Sequence, residues 1–285
     1  MTAHTLDGHE IGEWLRFARL LAGDAGALIK ERLKAAENGT RIDIGTKSGP
    51  SDLVTDVDRA VEALLVSRIR HQYPAHGVLG EEGAREAGRP EARGLVWVLD
   101  PIDGTTNFIH QRVNFCVSIA LYAGDQGLVG VVYDPMREEL FWAARGVGAY
   151  LNDRRLRLDA PKTLRESLIG TSLTWIKRAR KAGVVDRIWT IGERSRGIRS
   201  LGAAALETAY VAAGRLDAYL SLQLSPWDFA AGKLIIEEAG GAVVDFLGTP
   251  LSLEVPRLGF LAAHRDVAPE LIDILAPWAK AQPDA

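Results

Sequence analysis

Cysteine is nearly absent from this chain, because Cys116 is the single thiol among 285 residues. An intrachain disulfide is therefore impossible, and a reducing, cytoplasmic setting fits this composition. Cys116 lies in the apolar run from Phe115 to Leu121, which indicates a small buried side chain and not a nucleophile. The six histidines are scattered along the chain, so a metal site based on histidine or cysteine is not indicated.

An excess of one charge sign is also lacking, since 34 basic and 37 acidic residues leave a net charge of −3. This balance argues against nucleic acid as a partner, although metal ions could still adapt a mildly acidic protein to an anionic substrate. No apolar stretch has membrane-spanning length, and residues Met1 to Glu10 do not show the pattern of a signal peptide. We therefore expect a cytoplasmic protein without membrane contact.

Hydrophobic periodicity predicts both helices and strands. The predicted helices are 9–36, 57–69, 203–213, 228–239 and one from Ala268, and the predicted strands are 78–80, 94–99, 114–122, 127–133, 139–143, 216–221, 242–245 and 259–263. Short turns between the strands from 114 to 143 favour an antiparallel meander. The order indicates a layered α/β sandwich with mixed and antiparallel sheets. We expect two halves, 1–155 and 156–285, that work as one composite domain.

The segment from Asp100 to Thr106 reads Asp-Pro-Ile-Asp-Gly-Thr-Thr and follows a buried strand. Pro101 has no N–H, so we expect the strand to end at Asp100 and the chain to turn there. In a tight turn the carboxylates of Asp100 and Asp103 can converge, and Gly104 leaves room for an incoming group. The next amides could face an anion if they open a helical turn. A plain turn explains the same residues equally well.

Other acidic residues stand at the ends of three further elements. These are Glu81 and Glu82 after a strand, Asp56 and Asp58 at the start of a helix, and Asp228 after Trp227 at the start of another. Each position has an ordinary explanation, because acids are solvated at strand ends and favoured in a first helical turn. Together they indicate more, because clustered carboxylates repel one another unless cations lie among them. Oxygen ligands alone favour Mg²⁺ over zinc.

Four motifs resemble the signatures of the inositol monophosphatase family. They are Asp100 to Thr105 (D-P-[IL]-D-[GS]-T), Trp227-Asp228 followed after eleven residues by Gly240-Gly241, Gly80-Glu81-Glu82, and Lys47 to Asp58 (K-x-x-x-x-D-L-V-T-x-x-D). The similarity extends from about residue 10 to 275. It implies an αβαβα sandwich, a homodimer, and hydrolysis of a small phosphate monoester that depends on Mg²⁺, with Mn²⁺ as a substitute, and that lithium inhibits.

The resemblance also implies roles for individual residues. One Mg²⁺ would be held by Glu81, Asp100 and the Ile102 carbonyl, a second by Asp100, Asp103 and Asp228, and a weaker third would lie by Glu81 and Asp58. Thr105 and Asp58, with Glu81 nearby, would orient and deprotonate an attacking water. Lys47 would belong to a loop that closes near the third metal. The residues expected on the substrate side are Asp103, Gly104, Thr105, Gly202, Ala203, Ala204, Ser221 and Asp228.

The substrate is less closely determined than the reaction. Animal-type inositol monophosphatases carry a glutamate seven residues before the W-D aspartate, where it meets inositol hydroxyls, but this chain has Ser221 there. Another polar position of the family is Ala203. A pocket without that carboxylate should discriminate less sharply among polyols. We expect a relaxed sugar-phosphate phosphatase, with NADP, fructose 1,6-bisphosphate or 3′-phosphoadenosine phosphate as alternative substrates, and a regulatory or binding protein as the alternative of another class.

Three remaining features have simpler explanations. Gly146-Val147-Gly148 predicts a hairpin turn and not a dinucleotide site, and His110 is expected to pack or face solvent. The basic run 177–181 fits a solvated helix face, although contact with an anionic partner stays open. Because the chain has neither an aspartyl-phosphatase motif nor a reactive cysteine, we expect direct attack by water and no phosphoenzyme.

Overall fold

The computed structural model describes residues 8–47, 49, 52–83, 94–160, 162–172, 183–253 and 259–282, so the basic run 177–181 lies outside the described residues. The helices within these ranges are α1 (Gly8–Glu37), α2 (Asp56–Gln72), α3 (Thr105–His110), α4 (Val185–Arg194), α5 (Ala204–Ala212), α6 (Pro226–Ala239) and α7 (Ala268–Ala279). None of them combines the length and apolar character needed to cross a membrane.

The strands form two larger sheets and one short hairpin. They are β1 (Ile44–Thr46), β2 (Leu53–Thr55), β3 (Gly77–Gly80), β4 (Leu95–Asp103), β5 (Cys116–Ala123), β6 (Gln126–Asp134), β7 (Glu139–Ala144), β8 (Gly148–Leu151), β9 (Arg154–Leu156), β10 (Leu168–Thr171), β11 (Gly197–Arg199), β12 (Ala218–Ser221), β13 (Ala242–Val244) and β14 (Phe260–Ala263). Strands β1 and β2 pair antiparallel with each other, apart from the two larger sheets.

The first large sheet has the order β3-β4-β5-β6-β7-β8-β9. Only β3 and β4 run parallel in it, and the later pairs are antiparallel, so the predicted meander is confirmed and extends through β8 and β9. Strand β4 is buried on both faces, because Trp97 and Leu99 pack with α1 and α2 while Val98 packs with α5 and α6. The turn predicted around Val147 lies between β7 and β8.

The second large sheet has the order β11-β10-β12-β14-β13, with β10 parallel to β11 and β12 and with β14 antiparallel to its neighbours. Tyr219 and Phe260 face α5 and α6, whereas Leu220 and Leu261 face α4 and α7. Helices α5 and α6 therefore lie between the two sheets, and the five layers confirm the αβαβα sandwich. The division into halves at residue 155 stays a prediction, although the first sheet ends with β9 and the second begins with β10.

The predicted end of the strand at Asp100 is wrong, because β4 continues to Asp103. Asp100 pairs with Ser118 and Asp103 with Cys116, so three steps on β4 oppose two on β5. This extra residue is a bulge, which interrupts the ladder and so accommodates Pro101 without a missing hydrogen bond. The bulge bends the strand end and places both aspartates beside the middle helix layer.

Candidate metal centre

The carboxylates of Asp100, Asp103 and Asp228 converge between the first sheet and the middle helix layer. Each contributes an oxygen, and these oxygens lie within 4.8 Å of one another. Asp100 and Asp103 are buried, and Asp228 is half-buried. Asp228 is the third residue of α6, where its Oδ2 also accepts a hydrogen bond from the Ser225 amide at 2.6 Å. The structure thus brings together three of the predicted metal ligands from two distant segments.

Asp103 has a second set of contacts, at the amino-terminal end of α5. Its carboxylate accepts hydrogen bonds from the backbone amides of Ala204 at 3.0 Å, Ala205 at 2.7 Å and Leu206 at 3.3 Å. These amides have no carbonyl partner within the helix, and the helix dipole favours a negative charge there. Asp103 therefore joins the β4 bulge to the middle helix layer, and it lies beside the predicted substrate-side residues Ala203 and Ala204.

Thr105 and Asp58 form the next part of the site. The Thr105 hydroxyl lies 3.0 Å from Asp58 Oδ1 and 3.1 Å from the Ile102 carbonyl oxygen, both of which can accept its proton. The other Asp58 oxygen accepts a hydrogen bond from the Thr55 amide at 2.9 Å, as part of a capping box at the start of α2. Burial raises the pKa of Asp58, although its hydrogen bonds oppose this effect.

Glu81 and Glu82 follow β3 and face Lys47. The Lys47 ammonium lies 2.7 Å from Glu81 Oε1 and also pairs with Glu82. Burial raises the pKa of Glu82 to about 7 in spite of this ion pair. Glu81 borders the aspartate cluster, because its charge helps to raise the pKa of Asp100. Lys47 thus supplies the positive charge on this side of the site.

Gly104 is the cap residue just before α3, and its position requires glycine. Its φ of 90° is in the left-handed region, and an added Cβ would lie 3.0 Å from Ala203 Cβ and 3.1 Å from the Asn114 carbonyl oxygen. Thr105 opens the helix, as the sequence suggested for these amides. The predicted phosphate contacts of Gly104 and Thr105 stay a prediction.

The electrostatics of the aspartates fit a divalent cation. Burial, followed by the charges of its acidic neighbours, raises the pKa of Asp100 well above its ordinary range, and burial raises the pKa of Asp103 to about 6. The pKa of Asp228 is raised for the same reasons. Asp100 Oδ1 is buried and has no hydrogen-bond partner among the described residues. Converging carboxylate oxygens, one of them without a donor, are the ligands that Mg²⁺ prefers.

The other residues considered in the sequence analysis differ in their contacts and exposure. Ser221 ends β12, is buried, and donates its hydroxyl to the Gln223 carbonyl at 3.1 Å. Cys116 is buried as expected, with its Sγ 3.6 Å from Asp103 Oδ2, and His110 is exposed. Asp56 is not part of the cluster; it pairs with Arg32 and accepts a hydrogen bond from the Asp43 amide.

Sequence reasoning missed two buried polar residues beside the site. Asn107 donates hydrogen bonds from Nδ2 to the carbonyls of Asn114 at 2.8 Å and Leu201 at 2.7 Å. Glu207 Oε2 accepts a hydrogen bond from the Gly202 amide at 3.2 Å. A signal was present for Glu207, since it is the one charged residue of α5.

The chain is similar to known proteins along nearly its whole length. The model of the inositol monophosphatase family matches residues 10–276. Inositol-1-monophosphatase of Bacillus subtilis (strain 168) is 38% identical over 242 residues, which are 84% of this chain and 85% of that protein. Nus factor SuhB of Pseudomonas aeruginosa is 43% identical over 245 residues, which are 84% of this chain and 88% of that protein.

A solved staphylococcal structure is similar in fold. With 2′AMP-bound SaIMPase-II the TM-score is 0.81 at 37% identity, covering 93% of this chain and 95% of that one. With the inositol monophosphate-bound form the TM-score is 0.79 at 36% identity, covering 93% and 94%. Because the family model spans nearly the whole chain and the fold agrees, this chain belongs to the inositol monophosphatase family of phosphoric monoester hydrolases.

Proposed function

We propose that the chain hydrolyses small phosphate monoesters at a Mg²⁺ centre. The observation that supports this proposal most directly is the convergence of the Asp100, Asp103 and Asp228 oxygens within 4.8 Å. Glu81 and the Ile102 carbonyl complete the proposed ligand set, for two to three ions per site. Mn²⁺ has similar ligand preferences and is proposed as a substitute.

Bound Mg²⁺ would neutralise the carboxylates, offset the charge of the phosphoryl oxygens and make water a better nucleophile near neutral pH. The side chains of the chain itself then position the reactants. Thr105, held by Asp58 over 3.0 Å, orients the attacking water, and Asp58 receives its proton. In the metal-free protein, burial raises the pKa of Asp58. The Gly104 and Thr105 amides bind the phosphate group.

For the substrate we propose relaxed specificity that includes inositol monophosphate. Ser221 and Ala203 are both buried at the expected substrate side, and neither offers a carboxylate to a polyol hydroxyl. SaIMPase-II binds both inositol monophosphate and 2′AMP, two esters with unlike alcohol groups. Since NADP also carries a 2′-phosphate on its ribose, it is an alternative substrate, together with fructose 1,6-bisphosphate and 3′-phosphoadenosine phosphate.

A phosphate-release panel in Mg²⁺ and in EDTA tests this proposal. The substrates are inositol 1-phosphate, 2′AMP, NADP, fructose 1,6-bisphosphate and 3′-phosphoadenosine phosphate. We expect Mg²⁺-dependent release from several of them and its loss in Asp228→Asn. Undiminished release in EDTA would contradict metal dependence, and a preference of several orders of magnitude for inositol 1-phosphate would contradict relaxed specificity. Hydrolysis in ¹⁸O-water should label the phosphate and not the alcohol.

A regulatory role is the second candidate function, because one relative at 43% identity is a Nus factor. Complementation of a deletion strain separates the two candidates. Failure of a folded Asp228→Asn variant to complement the deletion indicates that catalysis is needed, whereas complementation by this variant indicates regulation by binding.

We also propose that the protein is a cytoplasmic homodimer whose activity lithium inhibits. Lithium sensitivity is general to the family, and the dimer and the location are proposed by analogy. Light scattering of the purified protein, cell fractionation and an inhibition series with LiCl test the three properties separately. A monomeric mass would contradict the dimer, and full activity at high LiCl would contradict lithium sensitivity.

A further inference from the structure

Glu207 is a buried acid in an otherwise uncharged helix. It lies in α5, its side chain is 0% exposed, and its Oε1 has no hydrogen-bond partner among the described residues. This oxygen lies 3.1 Å from the position of a Cβ added to Gly170, and side-chain carbons of Leu216 and Tyr219 lie 2.9 Å and 3.2 Å from the same position. A buried carboxylate with incomplete hydrogen bonding destabilises a fold unless another interaction compensates for it.

The compensating interaction is the hydrogen bond between Glu207 and the loop of residues 201–203, which precedes α5. Glu207 Oε2 accepts a hydrogen bond from the Gly202 amide at 3.2 Å. From the other side, Asn107 Nδ2 donates to the Leu201 carbonyl at 2.7 Å. Gly202 has a φ of +83°, a conformation that favours glycine. The 201–203 loop is therefore fixed between α3 and α5.

This loop determines where α5 begins, and α5 in turn contacts Asp103. The three amides that follow the loop donate to the Asp103 carboxylate, the shortest at 2.7 Å from Ala205. The loop also packs against the residue that follows β4, since Ala203 Cβ lies 3.0 Å from the position of a Cβ on Gly104. A displaced loop would therefore shift the donors that orient Asp103.

We propose that Glu207 is a positioning residue for Asp103, acting through the 201–203 loop and the first amides of α5. The inference rests on the proposed role of Asp103 as a metal ligand. Residues that orient metal ligands commonly change metal affinity or activity by about 10- to 100-fold when they are removed. If Glu207 had a purely structural role, its removal would lower stability and leave metal affinity unchanged.

The test compares Glu207→Ala, which removes the acceptor, with Glu207→Gln, which keeps an oxygen for the Gly202 amide. Asp217→Ala is the matched control, because Asp217 Oδ2 also accepts a backbone hydrogen bond, from Leu168 at 2.7 Å, just before β12 begins. Ser221 and the site lie at the other end of that strand. The measurements are Mn²⁺ affinity by calorimetry, kcat and KM for inositol 1-phosphate, thermal midpoint, and hydrogen exchange of residues 201–206.

We expect Glu207→Ala to bind Mn²⁺ about tenfold more weakly, with faster exchange of the loop amides. Glu207→Gln should stay within about threefold of wild type because it restores the acceptor, and Asp217→Ala should lose thermal stability alone. Wild-type Mn²⁺ affinity in Glu207→Ala would overturn the inference, as would equal weakening in Glu207→Gln. If Glu207→Ala does not fold, Asn107→Ala releases the same loop from the other side, and the same affinity criterion applies.

Failure of this inference is distinguishable from failure of the proposed function. If wild type neither binds Mn²⁺ nor releases phosphate in its presence, the proposed metal centre is wrong. If wild type does both and the Glu207 variants do not differ from it, only the positioning role is wrong.

Discussion

The Thr105 hydroxyl lies 3.0 Å from Asp58 Oδ1, although the two residues are 47 positions apart in the chain. The other Asp58 oxygen is engaged by Thr55 at the start of α2. One carboxylate thus caps a helix with one oxygen and holds a hydroxyl at the candidate site with the other. The capping contact orients Asp58, so the geometry of the hydroxyl depends on the helix start.

Thr105→Ala should lower kcat by about 100-fold or more, because it removes the hydroxyl that we propose orients the attacking water beside Asp58. Thr105→Ser keeps the hydroxyl and should retain activity within about tenfold of wild type. Steady-state phosphate release in Mg²⁺ measures both variants. Equal activity of the alanine and serine variants would show that the hydroxyl has no part in the reaction.

Asp100→Asn should stabilise the metal-free protein while it abolishes activity. It removes a carboxyl whose pKa is raised by burial and by its acidic neighbours, a shift that destabilises the folded state near neutral pH, so we expect the thermal midpoint in EDTA to rise by roughly 2–4 °C. Phosphate release should fall by more than about 100-fold, because the residue is a proposed ligand of two ions. Mg²⁺ should raise the midpoint of wild type more than that of the variant. A lower midpoint of the variant in EDTA would contradict mutual repulsion.

The stability of the metal-free protein should fall as the pH rises from about 4 to above 6. Burial raises the pKa of Asp103 from 3.8 to about 6, so the folded state binds its proton more tightly than the unfolded state does. The favourable contribution is complete below the unfolded pKa and is lost as the pH rises through the folded pKa. We expect a loss of about 3 kcal/mol at most from this group, because one pKa unit corresponds to about 1.4 kcal/mol.

Urea unfolding at pH 5 and pH 7, in EDTA and in saturating Mg²⁺, measures this dependence. Asp103→Asn is the control, since it cannot titrate. In EDTA, the difference in unfolding free energy between wild type and Asp103→Asn should change with pH. Saturating Mg²⁺ should remove this change, because the ion stabilises the ionised carboxylate. If the unfolding free energy of both proteins changes equally with pH in EDTA, groups other than Asp103 cause the pH dependence.

Gly104→Ala should be more damaging than Gly124→Ala, although both residues have positive φ. An added Cβ on Gly104 meets Ala203 and the Asn114 carbonyl, whereas nothing lies within 4 Å of one on Gly124. Backbone strain alone should cost each variant about 1 kcal/mol of unfolding free energy, and crowding should add to this at Gly104. Urea unfolding and phosphate release check this, with lost activity expected only for Gly104→Ala. Equal stability of the two variants would exclude a tight contact at Gly104.

Much of the fold could be predicted because its long elements carry clear local patterns. Helix α1 was expected at 9–36 and extends from Gly8 to Glu37, and the meander followed from alternating apolar runs and short turns. Strands β1, β2, β8, β9, β10 and β11 were missed, since each spans only three or four residues and shows too little periodicity. The continuation of β4 past Pro101 was missed because a bulge depends on its partner strand, which local sequence does not show.

The candidate site, like the fold, could be predicted only in part. Acidic residues at element ends and the family motifs pointed to Asp100, Asp103 and Asp228, and the structure places their oxygens together. The attachment of Asp103 to the α5 amides had no local signal, because the donors are backbone groups of a distant segment. The hold of Glu207 on Gly202 also escaped prediction, although an acid in an apolar helix was visible.

By itself, the sequence determined most of the long helices and strands and the residue types that can bind a hard cation, because both depend on neighbouring residues and side-chain chemistry. Only the tertiary structure decided that the end of β4 and the start of α6 meet, that Asp103 contacts α5, and that Lys47 faces Glu81. These contacts arise from the packing of five layers, in which apolar surfaces far apart in the chain are buried against one another. Local patterns indicate that a face will be covered but do not specify which distant segment covers it.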